Sequence, residues 1–175
     1  MRRRSAKCGA GHDGITGGAR LPEGTQSLEQ QAVTREFVFP GDSASLPAAR
    51  ESVMNFIREH GLSESEELDI FVALQEALAN AIFHGCRDDA GKTIRCWVEI
   101  DATGITIVVQ DPGSGFDVRA ATKTMEDGNI NNKTEHGRGI CLMRSLMDQV
   151  SYQRGGAEVR LRKLRAIPDN TRFSA

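Results

Sequence analysis

The spacing of apolar positions changes several times along the chain, and each change predicts an element. β-Branched and aromatic residues crowd residues 33–39, and Pro40-Gly41 follows, which predicts a first strand. Leu46, Ala49, Val53, Phe56 and Ile57 then recur at helical spacing. They predict a helix to about residue 60, with Ser45 as N-cap, Pro47 in the first turn and Gly61 as the stop. Ser63 and Glu66 fit the S-x-x-E capping box and open a second helix, expected to reach about His84 and to stop at Gly85. Residues 93–100 and 105–110 read as strands joined by a turn over 101–104. A third helix is expected from about Gly139 to residue 147. Strands over 150–154 and 157–164 follow, joined by a Gly155-Gly156 hairpin, with Val159 and Leu161 facing the core and Arg160 and Arg162 facing out. Two hairpins and one helix pair predict an α/β two-layer sandwich. Its sheet is mixed and largely antiparallel, covered on one face by helices.

Outside this pattern the chain is polar. Residues 1–32 carry six glycines between positions 9 and 24 and are expected to be a disordered leader. The GHDGITGG stretch within it has neither a preceding strand nor the Lys-Ser/Thr that closes a phosphate loop. Residues 33–164 form the expected domain and 165–175 a short tail. The polar run 119–136 interrupts the domain and is expected to be a mobile lid.

Composition narrows the function classes. With 22 Lys plus Arg against 24 Asp plus Glu, a net charge of −2 gives no electrostatic argument for nucleic acid or an anionic membrane. No apolar stretch approaches the roughly 18–20 residues of a membrane span, and no apolar segment follows Arg2-Arg3-Arg4 as a signal sequence requires. Cys8, Cys86, Cys96 and Cys141 show no CxxC or zinc spacing and are expected to be reduced, buried thiols. The expectation is a cytoplasmic protein.

The second helix carries the first candidate chemistry. At about 100° per residue, Ile70, Leu74, Leu78 and Ala81 share a core face. Asn80 lies only about 40° from Glu76, one turn on, and both point away from that face. Their neighbours are Val72, Ala73 and Phe83 rather than charges, so the pair reads either as a covered polar site or as plain surface. Asp111-Pro112-Gly113-Ser114-Gly115 follows an apolar strand. Its carboxylate can accept from an exocyclic amine, and its glycines allow close backbone approach, although D-P-G is also a common turn. Gly137-Arg138-Gly139 opens the third helix, where free N–H groups suit phosphates. Each motif is weak alone; in this order the three are specific.

In that order they resemble the anti-sigma-factor serine kinases of bacteria, of the Bergerat ATPase superfamily shared with gyrase and histidine kinases. Residues 76–85, EALANAIFHG, resemble the family's N box. Residues 111–116, DPGSGF, resemble its first glycine box, and residues 136–148, HGRGICLMRSLMD, its second. The resemblance implies the Bergerat ATP-binding fold, ATP and Mg²⁺. It implies Glu76 as general base toward a serine hydroxyl, Asn80 as Mg²⁺ ligand and Asp111 as adenine contact. Gly113, Gly115, Gly137, Arg138 and Gly139 would shape the pocket and line the phosphates, and His84 would brace the site. It further implies a sigma factor and an anti-anti-sigma (STAS-type) protein as partners, and a homodimer, with neither direct nucleic-acid nor membrane contact. The first helix, with Arg50 on its polar side, resembles the partner-binding surface.

One departure stands out. The family often has a threonine after the glycine of the last hairpin, whose hydroxyl supports the adenine-binding aspartate; here that position is Ala157. The alternative to a kinase is therefore a nucleotide-dependent binding module without phosphotransfer. A histidine-kinase catalytic domain would call for a dimerisation helix with a phosphoacceptor histidine before Val33, and a gyrase-like motor for a transducer domain.

Overall fold

The computed structural model describes residues 32–120 and 135–165, the side chains of 135–137 excepted. The expected leader, most of the lid and most of the tail lie outside the described residues. Five strands, β1 (Val33–Gly41), β2 (Asp89–Asp101), β3 (Gly104–Gln110), β4 (Gln149–Gln153) and β5 (Glu158–Leu164), form one sheet in the order β1-β2-β3-β5-β4. The sheet, expected to be largely antiparallel, is antiparallel at all four described pairings.

Alternation along the strands sorts the side chains. Register places Phe37, Cys96, Val109, Val159 and Tyr152 in one row across the sheet, and Val98, Ile107, Leu161 and Val150 in the next. These rows belong to or pack on the core cluster, which the helices α1 (Leu46–Arg58), α2 (Glu64–Asn80) and α3 (Glu135–Leu146) cover from one side. Fully buried Ile57, Ile70, Leu74, Leu78, Ile107 and Leu161 lie at its centre. Each contributes roughly 1.5–3 kcal/mol over exposure. Val159 and Leu161 are buried as expected, while Arg160 is exposed. Arg162 lies along the open face, donating to Thr106 at 2.7 Å and to both Asp101 oxygens at 2.9 Å. Those bonds, led by Arg162, hold the Asp101 carboxyl well below its ordinary pKa and fasten the β2–β3 turn.

Element ends differ from the sequence expectation for identifiable reasons. The Ser63–Glu66 capping box forms in full. Ser45, in contrast, makes no side-chain cap. Asp42 does this instead, its carboxylate accepting from Ser45 N at 2.8 Å in a short 3-10 turn that leads into α1. β1 passes through Pro40 because it is an edge strand, where a missing N–H leaves no ladder bond unmade, and a register shift follows at Gly41. Cys86 and Cys96 are buried free thiols, with burial pushing the Cys96 thiol up to about 12, but Cys141 is exposed. Lys163 runs from β5 to Asp69 Oδ2 at 2.6 Å and to the Leu146 carbonyl at 2.7 Å, which ties α2 and the C-terminus of α3 to the sheet.

The largest difference is in the second helix. The α-helical turn ends at Asn80, and Ala81–Cys86 form a wider π turn that Arg87 closes in the left-handed region. Ala81 and Ile82 are buried on the core side that the wheel predicts, and the wider turn carries the chain on to Cys86.

Candidate functional site

The site forms where α2, the π turn, the β3 end and α3 meet. Glu76 and Asn80 are half-buried on α2 and face α3 rather than open solvent. A Cβ at Gly139 would stand 2.7 Å from Glu76 Oε2 and 3.4 Å from Asn80 Nδ2. The start of α3 differs from the expectation. α3 begins at Glu135, so Gly137-Arg138-Gly139 lies inside its first turns instead of before them, and Arg138 is exposed. Gly139 has no side chain because its helix packs on the carboxylate and amide of α2.

Asp111 follows the parity of Ile105, Ile107 and Val109, so it occupies a core-facing position at the strand end. Its N–H donates to the Ala157 carbonyl at 3.0 Å, and its Oδ1 accepts from Gly113 N at 2.8 Å. Burial raises the Asp111 carboxyl above its ordinary pKa, against the pull of the Gly113 N–H. Two glycines make room for this carboxylate. A Cβ at Gly85 would overlap it outright, and one at Gly113 would come within 2.8 Å of Oδ1. Gly85 was expected as a helix stop; it lies instead in the π turn, where close approach to Asp111 requires a residue without a Cβ.

The D-x-G-x-G loop docks on the last hairpin. Phe116 N donates to the Gly155 carbonyl at 2.8 Å, and Gly115, at φ +75°, packs so closely on Gly155 that no side chain fits. Ala157 is buried and its carbonyl accepts from the Asp111 N–H, so the side chain at this position is a methyl that offers no hydroxyl.

These elements enclose a cavity of about 310 Å³, lined among others by Asn80, His84, Gly85, Asp111, Gly115 and Ile140. His84 is exposed at its mouth. Sequence reasoning missed Phe116, Met143 and Tyr152, which also line it. Tyr152 meets Phe116 edge-on at 5.5 Å, and burial pushes its hydroxyl up to about 12. The period-2 pattern of its strand, with Val150 two residues before it, is the signal that could have found it. Arg50 lies apart from this cavity. It is half-buried, with its guanidinium 4.4 Å above the Phe71 ring and bonded to Gln75 Oε1 at 2.6 Å, rather than pointing freely into solvent. Among the described residues no cluster of three His, Cys, Asp or Glu could hold a metal by itself, and no helix is long and apolar enough to cross a membrane.

Comparison with known proteins agrees with this geometry. Residues 39–163 match the family model of the histidine kinase-like ATPase domain. The chain is similar to the anti-sigma F factor of Clostridium novyi (strain NT), 29% identical over 119 residues, covering 66% of this chain and 82% of the relative. It is also similar to the serine-protein kinase RsbW of Staphylococcus aureus (strain JH9), 27% identical over 134 residues, covering 73% of this chain and 84% of the relative.

Proposed function

The chain belongs to the histidine kinase-like ATPase domain family, and from that premise we propose that it is a cytoplasmic ATP-dependent serine kinase that also sequesters a sigma factor. The relatives named anti-sigma F factor and serine-protein kinase support both halves of the reading. The observation that carries it is that Asn80 and Asp111 line one cavity, while Gly139 packs closely on Asn80 and on Glu76 beside it. The substrate is a serine of an anti-anti-sigma (STAS-type) protein, and a homodimer is part of the proposal.

Asp111, held on its Oδ1 by Gly113, accepts from the adenine amine. Its raised pKa states the cost of keeping a carboxylate there without such a donor. The residues present suit Mg²⁺ bound with the phosphates. That ion takes few protein ligands and favours oxygen, and the Asn80 side chain, which lines the cavity, can offer an amide oxygen. When bound there, the metal would supply charge neutralisation during transfer.

Glu76 is the carboxylate beside Asn80, so it takes the proton of the attacking serine hydroxyl. The serine oxygen forms the new bond to the γ-phosphorus while the bond to the β-phosphate oxygen breaks and ADP leaves. Glu76→Gln keeps the size of the side chain and removes the base. It should retain nucleotide and sigma-factor binding but lose roughly 10²–10⁴-fold in phosphorylation of the partner protein. A variant that phosphorylates at the wild-type rate removes Glu76 from this role. A wild type that transfers no phosphate while still binding ATP and its partner supports the binding-module reading, which Ala157 favours by depriving Asp111 of a hydroxyl neighbour.

A further inference from the structure

Two side chains on the cavity rim have no part in the chemistry above. Phe83 is 49% exposed, although the chain has a large core to bury it in, and it lines the cavity. Arg87, four residues on, lines the same cavity. Both belong to the π turn and its cap. Arg87 takes φ 60° and ψ 41°, and Asp88 follows at φ 54°, a left-handed pair with no glycine in it. Such residues persist only where the surroundings hold them. Asp88 does the holding: its carboxylate accepts from Ser43 N at 2.5 Å and from Ser43 Oγ at 3.2 Å, and its N–H donates to the Ile82 carbonyl at 3.0 Å. Among the described residues no carboxylate pairs with the Arg87 guanidinium.

Position selects what this pair can bind. Glu76 and Asn80 precede the π turn by up to two turns, whereas Gly85, which lies between Phe83 and Arg87, touches Asp111. The turn that carries the rim therefore also backs the Asp111 carboxylate, and all three side chains line one cavity. A half-exposed aromatic ring and a guanidinium both offer flat faces to a flat heteroaromatic ring. We infer that Phe83 and Arg87 clamp the purine ring of the bound nucleotide at the cavity mouth, stacking on it while Asp111 reads its amine. This clamp rests on the nucleotide reading above and deepens it by naming the residues that hold the base.

Calorimetry on the full chain tests it, with ADP as the base-bearing probe and tripolyphosphate as the base-free one. Phe83→Ala should weaken ADP by about fivefold or more, the scale of a lost base–aromatic stack, and leave tripolyphosphate affinity unchanged. Arg87→Gly should weaken ADP by about two- to thirtyfold, as expected for loss of a cation–π contact. Glycine is at ease at positive φ, so the same variant should melt no lower than wild type. A purely structural arginine would not separate these readouts. Unchanged ADP affinity in both variants, with Asp111→Asn weakened, overturns the clamp and leaves the nucleotide site standing. Normal ADP affinity with lost binding of a protein partner also overturns it and reassigns the rim to protein docking. A wild type that binds no ADP overturns the nucleotide reading, and the clamp with it.

Discussion

Replacing Gly139 by alanine separates the fold from the proposed chemistry. The new Cβ would stand 2.7 Å from Glu76 Oε2, whereas an unstrained carbon–oxygen approach is about 3.3–3.6 Å. The carboxylate would have to retreat by roughly 0.6–0.9 Å. Gly139 lies within α3 and has no positive φ, so alanine suits its backbone and gains about 0.8–1.0 kcal/mol of helix propensity. Moving the flexible end of Glu76 off its preferred rotamer costs about 0.5–1.5 kcal/mol. These two effects nearly cancel, so stability should change by less than about 1 kcal/mol. Catalysis has no such compensation: a misplacement of about 1 Å can cost about 10²-fold. Single-turnover phosphorylation of the partner should therefore fall by roughly two orders of magnitude. The thermal midpoint and ADP affinity should stay near wild type. Transfer at the wild-type rate would refute the argument that α3 fixes the base. A collapse of the thermal midpoint would show that Glu76 has no room to retreat.

Asp111→Asn should abolish most ADP affinity and at the same time stabilise the nucleotide-free protein. Burial raises the folded pKa of Asp111, so the native state keeps a proton that the unfolded chain releases from about pH 3.9. Stability of the free protein should therefore fall as pH rises through that window, and denaturant titrations of the asparagine variant should lack this component. Gly115→Ala places a side chain at φ +75° against the Gly155 backbone, and should cost about 1–3 kcal/mol as a lower urea midpoint at unchanged slope. Ser63→Ala removes the capping box of α2 and should cost about 1 kcal/mol, with no change in ADP affinity because the cap lies at the far end of the helix from Asn80.

The order of elements, the capping box, the two hairpins and the faces of Val159 and Leu161 were legible because each depends on neighbours within a few residues. So was the meeting of Glu76 and Asn80, which the α-helical period alone brings together on one turn. Asp111 was legible as the carboxylate at a strand end that heads a glycine motif. The tertiary structure decided the rest. Nothing local distinguishes Gly85 as a helix stop from Gly85 as the floor under Asp111, because the carboxylate that excludes a Cβ comes from the end of β3. Gly139 likewise read as a helix opening, whereas its reason is Glu76 on another helix. Phe83 followed an α-helical wheel on paper and Arg87 lay beyond the expected stop at Gly85, but the chain past Asn80 forms a π turn, and Asp88 fastens it through Ser43. A sequence period records how one segment repeats. Where that segment must widen, kink or lose a side chain is set by the atoms packed against it, and these come from parts of the chain that the period does not contain.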